Sequence, residues 1–304
     1  MRTGPDYIQF YPTLRCNLSC DFCFNRFLPR VQDMSLADFK VMLVALKERA
    51  VRTINIIGGE PTLHPDILSF VRESLLSGFF VNISSNGTNL KVLEEIMSLG
   101  SGVTAGISIN DRGTFERARG FIRTYKPVVK SVFHPKMGRG MIREILSLKP
   151  KKYYFIYRDA LSRSELQTTV PFPRFASTIE RLFNSKEVGM VFCSGFLPDT
   201  RHFPELVHVR CPAGTTKLGI MPDGSVYPCN LFFGLKDFLL GNIVNDPFQA
   251  IWQHQALAYF RSSTLNLCTQ VSCRHHSECH GGCPAHSLFL NNDLTAPDPR
   301  CSEI

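Results

Sequence analysis

Six short apolar runs, separated by amphipathic stretches, constrain this chain more than any other feature. They are Tyr7–Pro12, Thr53–Ile57, Phe80–Ser84, Val103–Ile109, Val128–Phe133 and Tyr153–Tyr157. Each is short, apolar and bounded by turn-forming residues such as Ser85-Asn86-Gly87-Thr88, the pattern of a buried strand. Helical spacing fills the gaps, over about 35–50, 66–77, 90–99, 113–125 and 139–148, and again over 173–185. Ser35-Leu-Ala-Asp38 resembles a capping box at the start of the first helix. Strands alternating with helices form a parallel sheet with right-handed crossovers, an α/β fold. Parallel α/β sheets carry their chemistry at the C-terminal strand ends. Those ends hold Ser84, Ser85 and Asn86, then Ser108, Asn110 and Asp111, then His134, then Tyr157, Arg158 and Asp159. Each of these polar residues also reads as an ordinary cap of a turn or helix.

Directly behind the first run, Cys16-Asn-Leu-Ser-Cys20-Asp-Phe-Cys23 places three thiols in one loop. A closed zinc or iron–sulfur site takes four protein ligands, so three thiolates suggest a centre with one open position. A zinc knuckle completed from elsewhere is the alternative. The chain has 11 cysteines, an N-terminus without the apolar core of a signal peptide, and no run of 18 apolar residues. The expectation is a cytoplasmic protein whose cysteines bind metal rather than form disulfides. Its 304 residues, 44% hydrophobic, suit one large domain and a smaller one.

After the second run comes Gly58-Gly59-Glu60-Pro61, glycines at a strand end where backbone can approach a ligand closely. Together, CxxxCxφC with aromatic Phe22 and this GGEP resemble the radical S-adenosylmethionine (SAM) superfamily. The resemblance implies a partial (β/α)6 TIM-type barrel. It implies that Cys16, Cys20 and Cys23 hold a [4Fe-4S] cluster whose fourth iron is chelated by SAM. It further implies that Phe22 packs on the adenine, that Gly58, Gly59 and Glu60 receive the methionyl amino group, and that Ser85 and Ser108 contact ribose and carboxylate. Relatives often carry Ser-Leu-Asp-Gly after the fourth strand where this chain has Ser108-Ile-Asn110-Asp111, so Asn110 and Asp111 compete for the aspartate's role.

Eight of the 11 cysteines follow residue 190, and no low-complexity linker or internal repeat marks the border. Ile220–Cys229 reads as a hairpin with a Pro-Asp-Gly turn, and a helix is expected to start with Asp246 as N-cap and Pro247 at its first position. This part resembles the SPASM extension of radical SAM enzymes, giving domains 1–186 (barrel) and 187–304 (SPASM: hairpin, helix and loops). Cys211, Gly224 and Cys229 fit its first half, and Cys273, Cys279, Cys283 and Cys301 its second. Cys268 departs, lying four residues before Cys273 where the pattern has two. The resemblance assigns Cys211, Cys229 and Cys283 to one auxiliary [4Fe-4S] cluster and Cys268, Cys273, Cys279 and Cys301 to another. The remaining Cys193 is open between eighth ligand, hydrogen-atom donor and inert thiol. His275, His276, His280 and His286 are expected near cluster sulfur or at the surface rather than on iron.

The formal charge of +8 counts these cysteines as neutral. Three filled clusters would remove about five units, leaving roughly +3, and no block of five basic residues occurs, so neither nucleic acid nor membrane is expected as partner. The resemblance implies reductive cleavage of SAM to a 5′-deoxyadenosyl radical that abstracts hydrogen from substrate, with auxiliary clusters accepting or relaying an electron. The substrate class it favours is a peptide or protein, modified by crosslink, thioether or epimerisation. A sugar, aminoglycoside or cofactor precursor is the second reading, and a non-catalytic iron–sulfur electron carrier the third. Only 15 residues precede Cys16, so a separate peptide-recognition protein is expected, alongside a flavodoxin- or ferredoxin-type reductant. Asp111, Asp159, Asp199, His202 and Glu205 are candidate general bases, with none in a matching motif.

Overall fold

The structure, a computed structural model, describes residues 3–49, 51–183, 188–191, 206, 208–262 and 267–301. Strands β1 (Tyr7–Phe10), β2 (Thr53–Ile56), β3 (Phe80–Ser85), β4 (Val103–Ser108), β5 (Val128–Val132), β6 (Lys152–Ile156) and β7 (Val188–Val191) pair in parallel in chain order. Helices α1 (Leu36–Lys47), α2 (Ile67–Leu76), α3 (Leu90–Ser98), α4 (Arg112–Tyr125) and α5 (Arg139–Ser147) fill the crossovers, followed by α6 (Arg163–Thr168) and α7 (Phe172–Leu182). The six strands and their helices lie where the sequence placed them. β7, only four residues long, joins as a seventh strand, and the short α6 is a further addition.

Strand alternation sorts the two faces of the sheet. Ile8, Phe10, Ile54, Ile56, Val81, Ile83, Ile107, Val129, Tyr153 and Phe155 are buried and form the core with the helices. The opposite, inner face carries Gln9, Asn55, Asn82, Ser84, Thr104, Ser108 and Lys130, which keep partial exposure. There Asn82 donates to Asn55 at 2.8 Å. A polar inner face bordered by an apolar outer one is what period-2 patterning produces when only one side meets helices.

The C-terminal part extends the same sheet. β8 (Lys217–Ile220) lies parallel to β1, with Tyr7 opposite Lys217 and Phe10 opposite Ile220. It turns through Met221–Gly224 into antiparallel β9 (Ser225–Tyr227), which pairs with β10 (Gly241–Asn242). The sheet order is β10-β9-β8-β1-β2-β3-β4-β5-β6-β7. Sheet pairing therefore continues on both sides of residues 186 and 187. Helices α8 (Phe248–Trp252), α9 (Ala258–Arg261), α10 (His276–Cys279) and α11 (Pro284–Asn291) complete this part. α8 begins one step later than the sequence suggests. Pro247 takes the cap position, because the Asp246 carboxylate instead accepts from the Asn242 N–H at 2.7 Å and closes the turn after β10. Among the described residues no helix is long and apolar enough to cross a membrane.

Candidate cofactor and cluster sites

The two N-terminal motifs form one structure. The Gly59 N–H donates to the Thr13 carbonyl at 2.9 Å and the Glu60 N–H to the Arg15 carbonyl at 2.7 Å, so the loop after β2 lies directly against the loop leading to Cys16. Gly58 sits at φ 131°. A Cβ on Gly59 would fall 2.0 Å from the Arg15 carbonyl oxygen, and one on Gly58 2.6 Å from that of Thr13. The glycines are thus required first by the approach of the cysteine loop itself. Asn25 closes the loop from beyond Cys23, donating to the Gly58 carbonyl at 2.6 Å.

Cys16 is exposed, and Cys20 and Cys23 are half-buried. Burial pushes the thiols of Cys20 and Cys23 above the ordinary cysteine value, and neighbouring thiols add to it, Cys23 and Cys16 for Cys20 and Cys16 for Cys23. Three thiols gathered in one loop are a donor set that a cation deprotonates on binding. That chemistry fits an iron–sulfur cluster.

Glu60 is fully buried beneath this loop. Its Oε1 accepts from the Thr62 N–H at 3.1 Å, the Thr62 hydroxyl at 2.6 Å and the Ser85 hydroxyl at 2.8 Å, while Oε2 accepts from the Asn86 N–H at 2.7 Å. The Glu60 carboxylate is therefore a staple between the ends of β2 and β3. Ser85, expected against a ligand, spends its hydroxyl on Glu60 and accepts from the Gly87 N–H at 3.1 Å. Asn86 and Thr88 hold the cysteine loop instead: Asn86 donates to Asn17 at 2.9 Å, Asn17 donates to Thr88 at 2.9 Å, and the Asn86 amide lies 3.9 Å from the Cys16 sulfur. A turn-forming Asn-Gly-Thr carries no sequence signal for this partnership.

Among the described C-terminal cysteines, four are buried, Cys211, Cys229, Cys283 and Cys279, and three are half-buried. Cys268, Cys273, Cys279 and Cys301 interact with one another: burial pushes the Cys301 thiol up to about 12, with Cys279, Cys268 and Cys273 adding to the effect. Cys268, Cys279 and Cys301 also line one small cleft. The extra residues ahead of Cys273 are taken up by two tight turns, with N–H to carbonyl bonds of 3.0 Å from Val271 to Thr269 and from Cys273 to Gln270. A ring nitrogen of His276 lies 2.9 Å from the Cys268 carbonyl and ties it to α10. Cys193 and the candidate bases Asp199, His202 and Glu205 lie outside the described residues.

Residues 10–132 match the model of the radical SAM superfamily, and residues 211–284 that of SPASM, an iron–sulfur cluster-binding domain. The chain is a radical SAM enzyme with a C-terminal SPASM domain. It is 26% identical to the mycofactocin maturase MftC of Mycolicibacterium smegmatis over 333 residues, covering 99% of this chain and 83% of the relative. It is 26% identical to the antilisterial bacteriocin subtilosin biosynthesis protein AlbA of Bacillus subtilis, covering 94% of this chain and 69% of the relative. The fold resembles that of Streptococcus suis SuiB bound to S-adenosylmethionine, with a TM-score of 0.76, 18% identity, and 99% and 78% of the two chains covered.

In this radical SAM barrel a cavity of about 520 Å³ opens beside the cysteine loop, lined by Asp21, Phe22, Asn110, Asp111, Phe133 and Arg158 among others. Asp111 does not project freely into it. Its carboxylate caps α4, accepting from the Thr114 N–H at 2.8 Å and the Thr114 hydroxyl at 2.7 Å, and these bonds hold its carboxyl below the ordinary aspartate value. Asn110 accepts from the Val132 N–H at 2.8 Å. Ser108 ends β4 on the inner face, half-buried. Below it the Lys130 amine donates to Ser84 at 2.6 Å, and burial lowers its pKa from the ordinary lysine value. Sequence reading passed Lys130 over as one polar residue within a strand; period-2 alternation does place it on the inner face.

The C-terminal part of the chain locks onto the sixth strand end through Arg300. Fully buried, it pairs with Asp298 at 2.9 Å, donates to the Arg158 carbonyl at 3.0 Å, lies 3.4 Å from Asp159, and stacks over the Tyr157 ring at 4.9 Å. The Asp298 carboxylate also accepts from the Cys283 N–H at 3.1 Å. His286, buried on α11, lies 3.2 Å from Asp159. Asp159 is thus engaged by Arg300 and His286.

Proposed function

We propose that this radical SAM enzyme matures a peptide. The observation that carries the reading is the full-length similarity to MftC and AlbA, with the PqqA peptide cyclase of Methylobacterium nodulans at 24% identity over 95% of this chain. Cys16, Cys20 and Cys23 hold the SAM-binding cluster. Main-chain groups of Gly58–Glu60, pinned by the Glu60 staple, face the methionyl amino group; Phe22 covers the adenine; Ser108 and the buried Lys130 amine serve the ribose and carboxylate end. Bound there, the reduced cluster and SAM supply a 5′-deoxyadenosyl radical. The cavity beside Phe22 receives the part of the substrate that reacts. Asp111, committed to its helix, acts as a structural cap rather than a base.

Cys211, Cys229 and Cys283 hold one auxiliary cluster, and Cys268, Cys273, Cys279 and Cys301 the other. The supporting observation is the mutual interaction of the second set, from which Cys211, Cys229 and Cys283 stand apart in the spacing pattern. A flavodoxin- or ferredoxin-type donor supplies electrons, and a separate recognition protein presents the peptide.

The test is anaerobic reconstitution with iron and sulfide, then dithionite, SAM and the candidate peptide encoded beside the gene. About twelve irons per chain, 5′-deoxyadenosine, and a mass change on the peptide are expected. 5′-Deoxyadenosine that rises with a sugar or cofactor precursor, and not with any peptide, would overturn the peptide reading.

A further inference from the structure

Two arginines are buried beside the C-terminal cysteines, and they differ in one respect. Arg300 meets carboxylates, Asp298 and Asp159. Arg210, 3% exposed, makes no direct ion pair among the described residues, and only the exposed Asp293 carboxylate senses its charge through space. Its guanidinium instead collects neutral acceptors. Nε donates to the Gly282 carbonyl at 3.0 Å, and Nη2 to the carbonyls of Gly281 at 2.8 Å and Ala296 at 2.6 Å and to the Ser287 hydroxyl at 2.9 Å. Nη1 donates to the carbonyls of Leu294 at 3.1 Å and Thr295 at 2.9 Å, with the Tyr259 hydroxyl at 3.4 Å. Asp293, close in sequence to these acceptors, turns its carboxylate to Thr295 at the surface.

Carbonyl dipoles satisfy the N–H groups but leave a net positive charge in the interior. Such a charge is normally paired. Arg210 directly precedes Cys211, and two of its acceptors, Gly281 and Gly282, lie with His280 in the link between Cys279 and Cys283. A [4Fe-4S] cube on three or four thiolates carries a net charge of about −1 or −2, and one more negative charge when reduced.

We infer that Arg210 is the buried counter-charge of the auxiliary cluster on Cys211, Cys229 and Cys283, and that it raises that cluster's reduction potential. The inference rests on the auxiliary-cluster reading proposed above. Placed so, Arg210 favours the extra electron that an oxidised substrate delivers, and acts on the reaction as a positioning residue through the cluster. A guanidinium that only ties residues 281–282 and 294–296 together would need its hydrogen bonds but not its charge.

The experiment is a potentiometric titration followed by electron paramagnetic resonance on the full reconstituted chain, with SAM added to identify the N-terminal cluster by its response. Arg210→Gln removes the charge and keeps an amide donor; Arg210→Lys keeps the charge and loses the fork. In Arg210→Gln one auxiliary cluster should become harder to reduce by at least about tenfold in the reduced-to-oxidised ratio, which is about 59 mV. Arg210→Lys should stay within about threefold of the parent. Unchanged potentials in a loaded Arg210→Gln chain, or equal shifts in both variants, would overturn the counter-charge. Should Arg210→Gln fail to load iron, Arg210→Lys decides: loading with the parent potential supports the charge, and equal failure refutes it. The underlying reading fails separately, if a Cys229→Ala/Cys283→Ala chain binds as much iron as the parent.

Discussion

Replacing Glu60 by glutamine probes the staple beneath the cysteine loop. The change keeps shape and volume but turns one carboxylate oxygen into an amide. Two of the four donors, the N–H groups of Thr62 and Asn86, are fixed backbone on opposite oxygens. Whichever way the amide turns, its NH2 faces one of them. The two hydroxyl donors, Thr62 and Ser85, can rotate away. The cost is one charge-assisted bond, about 1.5–3 kcal/mol, with a buried N–H left unsatisfied at about 1–3 kcal/mol. Taking about 2.5 kcal/mol as the sum at the low end, the loop opens about 70-fold more often. SAM affinity of the reconstituted enzyme, measured by calorimetry, should fall by a comparable factor, while auxiliary iron is retained. Thr62→Ala, which removes one hydroxyl bond of about 1 kcal/mol, should weaken SAM binding far less. A Glu60→Gln enzyme that binds SAM within about twofold of the parent would refute the staple, since about 2.5 kcal/mol cannot vanish from that equilibrium.

Other outcomes follow from single contacts. Gly59→Ala places a Cβ 2.0 Å from the Arg15 carbonyl and should cost the chain the iron of its SAM cluster, about four atoms, with the rest retained by iron and sulfide assay. Arg300→Met leaves Asp298 buried without its cation and should destabilise the unloaded chain by about 3–5 kcal/mol in chemical denaturation, whereas Arg300→Met combined with Asp298→Leu should recover much of it. The Asp111 carboxyl is held below its ordinary value by Thr114, so its contribution is complete above the unfolded aspartate value of about 4 and fades as pH falls through the lower folded value. Asp111→Ala should cost about 1 kcal/mol at neutral pH and progressively less in acid, read from denaturant midpoints at stepped pH.

Local chemistry was legible in the sequence wherever neighbours along the chain decide it. Period-2 and helical spacing located β1 to β6 and their helices, and Ser35 caps α1 as its pattern with Asp38 suggested, its hydroxyl accepting from the Asp38 N–H at 3.1 Å. The cysteine and GGEP motifs pointed to the family because each is a short contiguous string. Even the irregular spacing at Cys268 resolves through turns within five residues. Where the sequence reading placed Asp246 one position wrong, the competing partner, Asn242, stood four residues away.

Contacts between distant residues decided the rest. Nothing near Lys217 announces that β8 will lie beside β1, since backbone pairing across some two hundred residues leaves no local pattern. The same holds for Ser85, whose hydroxyl is claimed by a carboxylate 25 residues earlier, and for Asp159, engaged by an arginine 141 residues later. Periodicity and cysteine spacing determined an α/β chain with clustered metal-binding thiols, and the resemblance of its two motif sets implied the barrel and the iron–sulfur clusters. Only the tertiary structure decided which polar side chains remain available to a ligand, because a hydrogen bond is satisfied by proximity in space, and burial makes each of those partnerships costly to exchange.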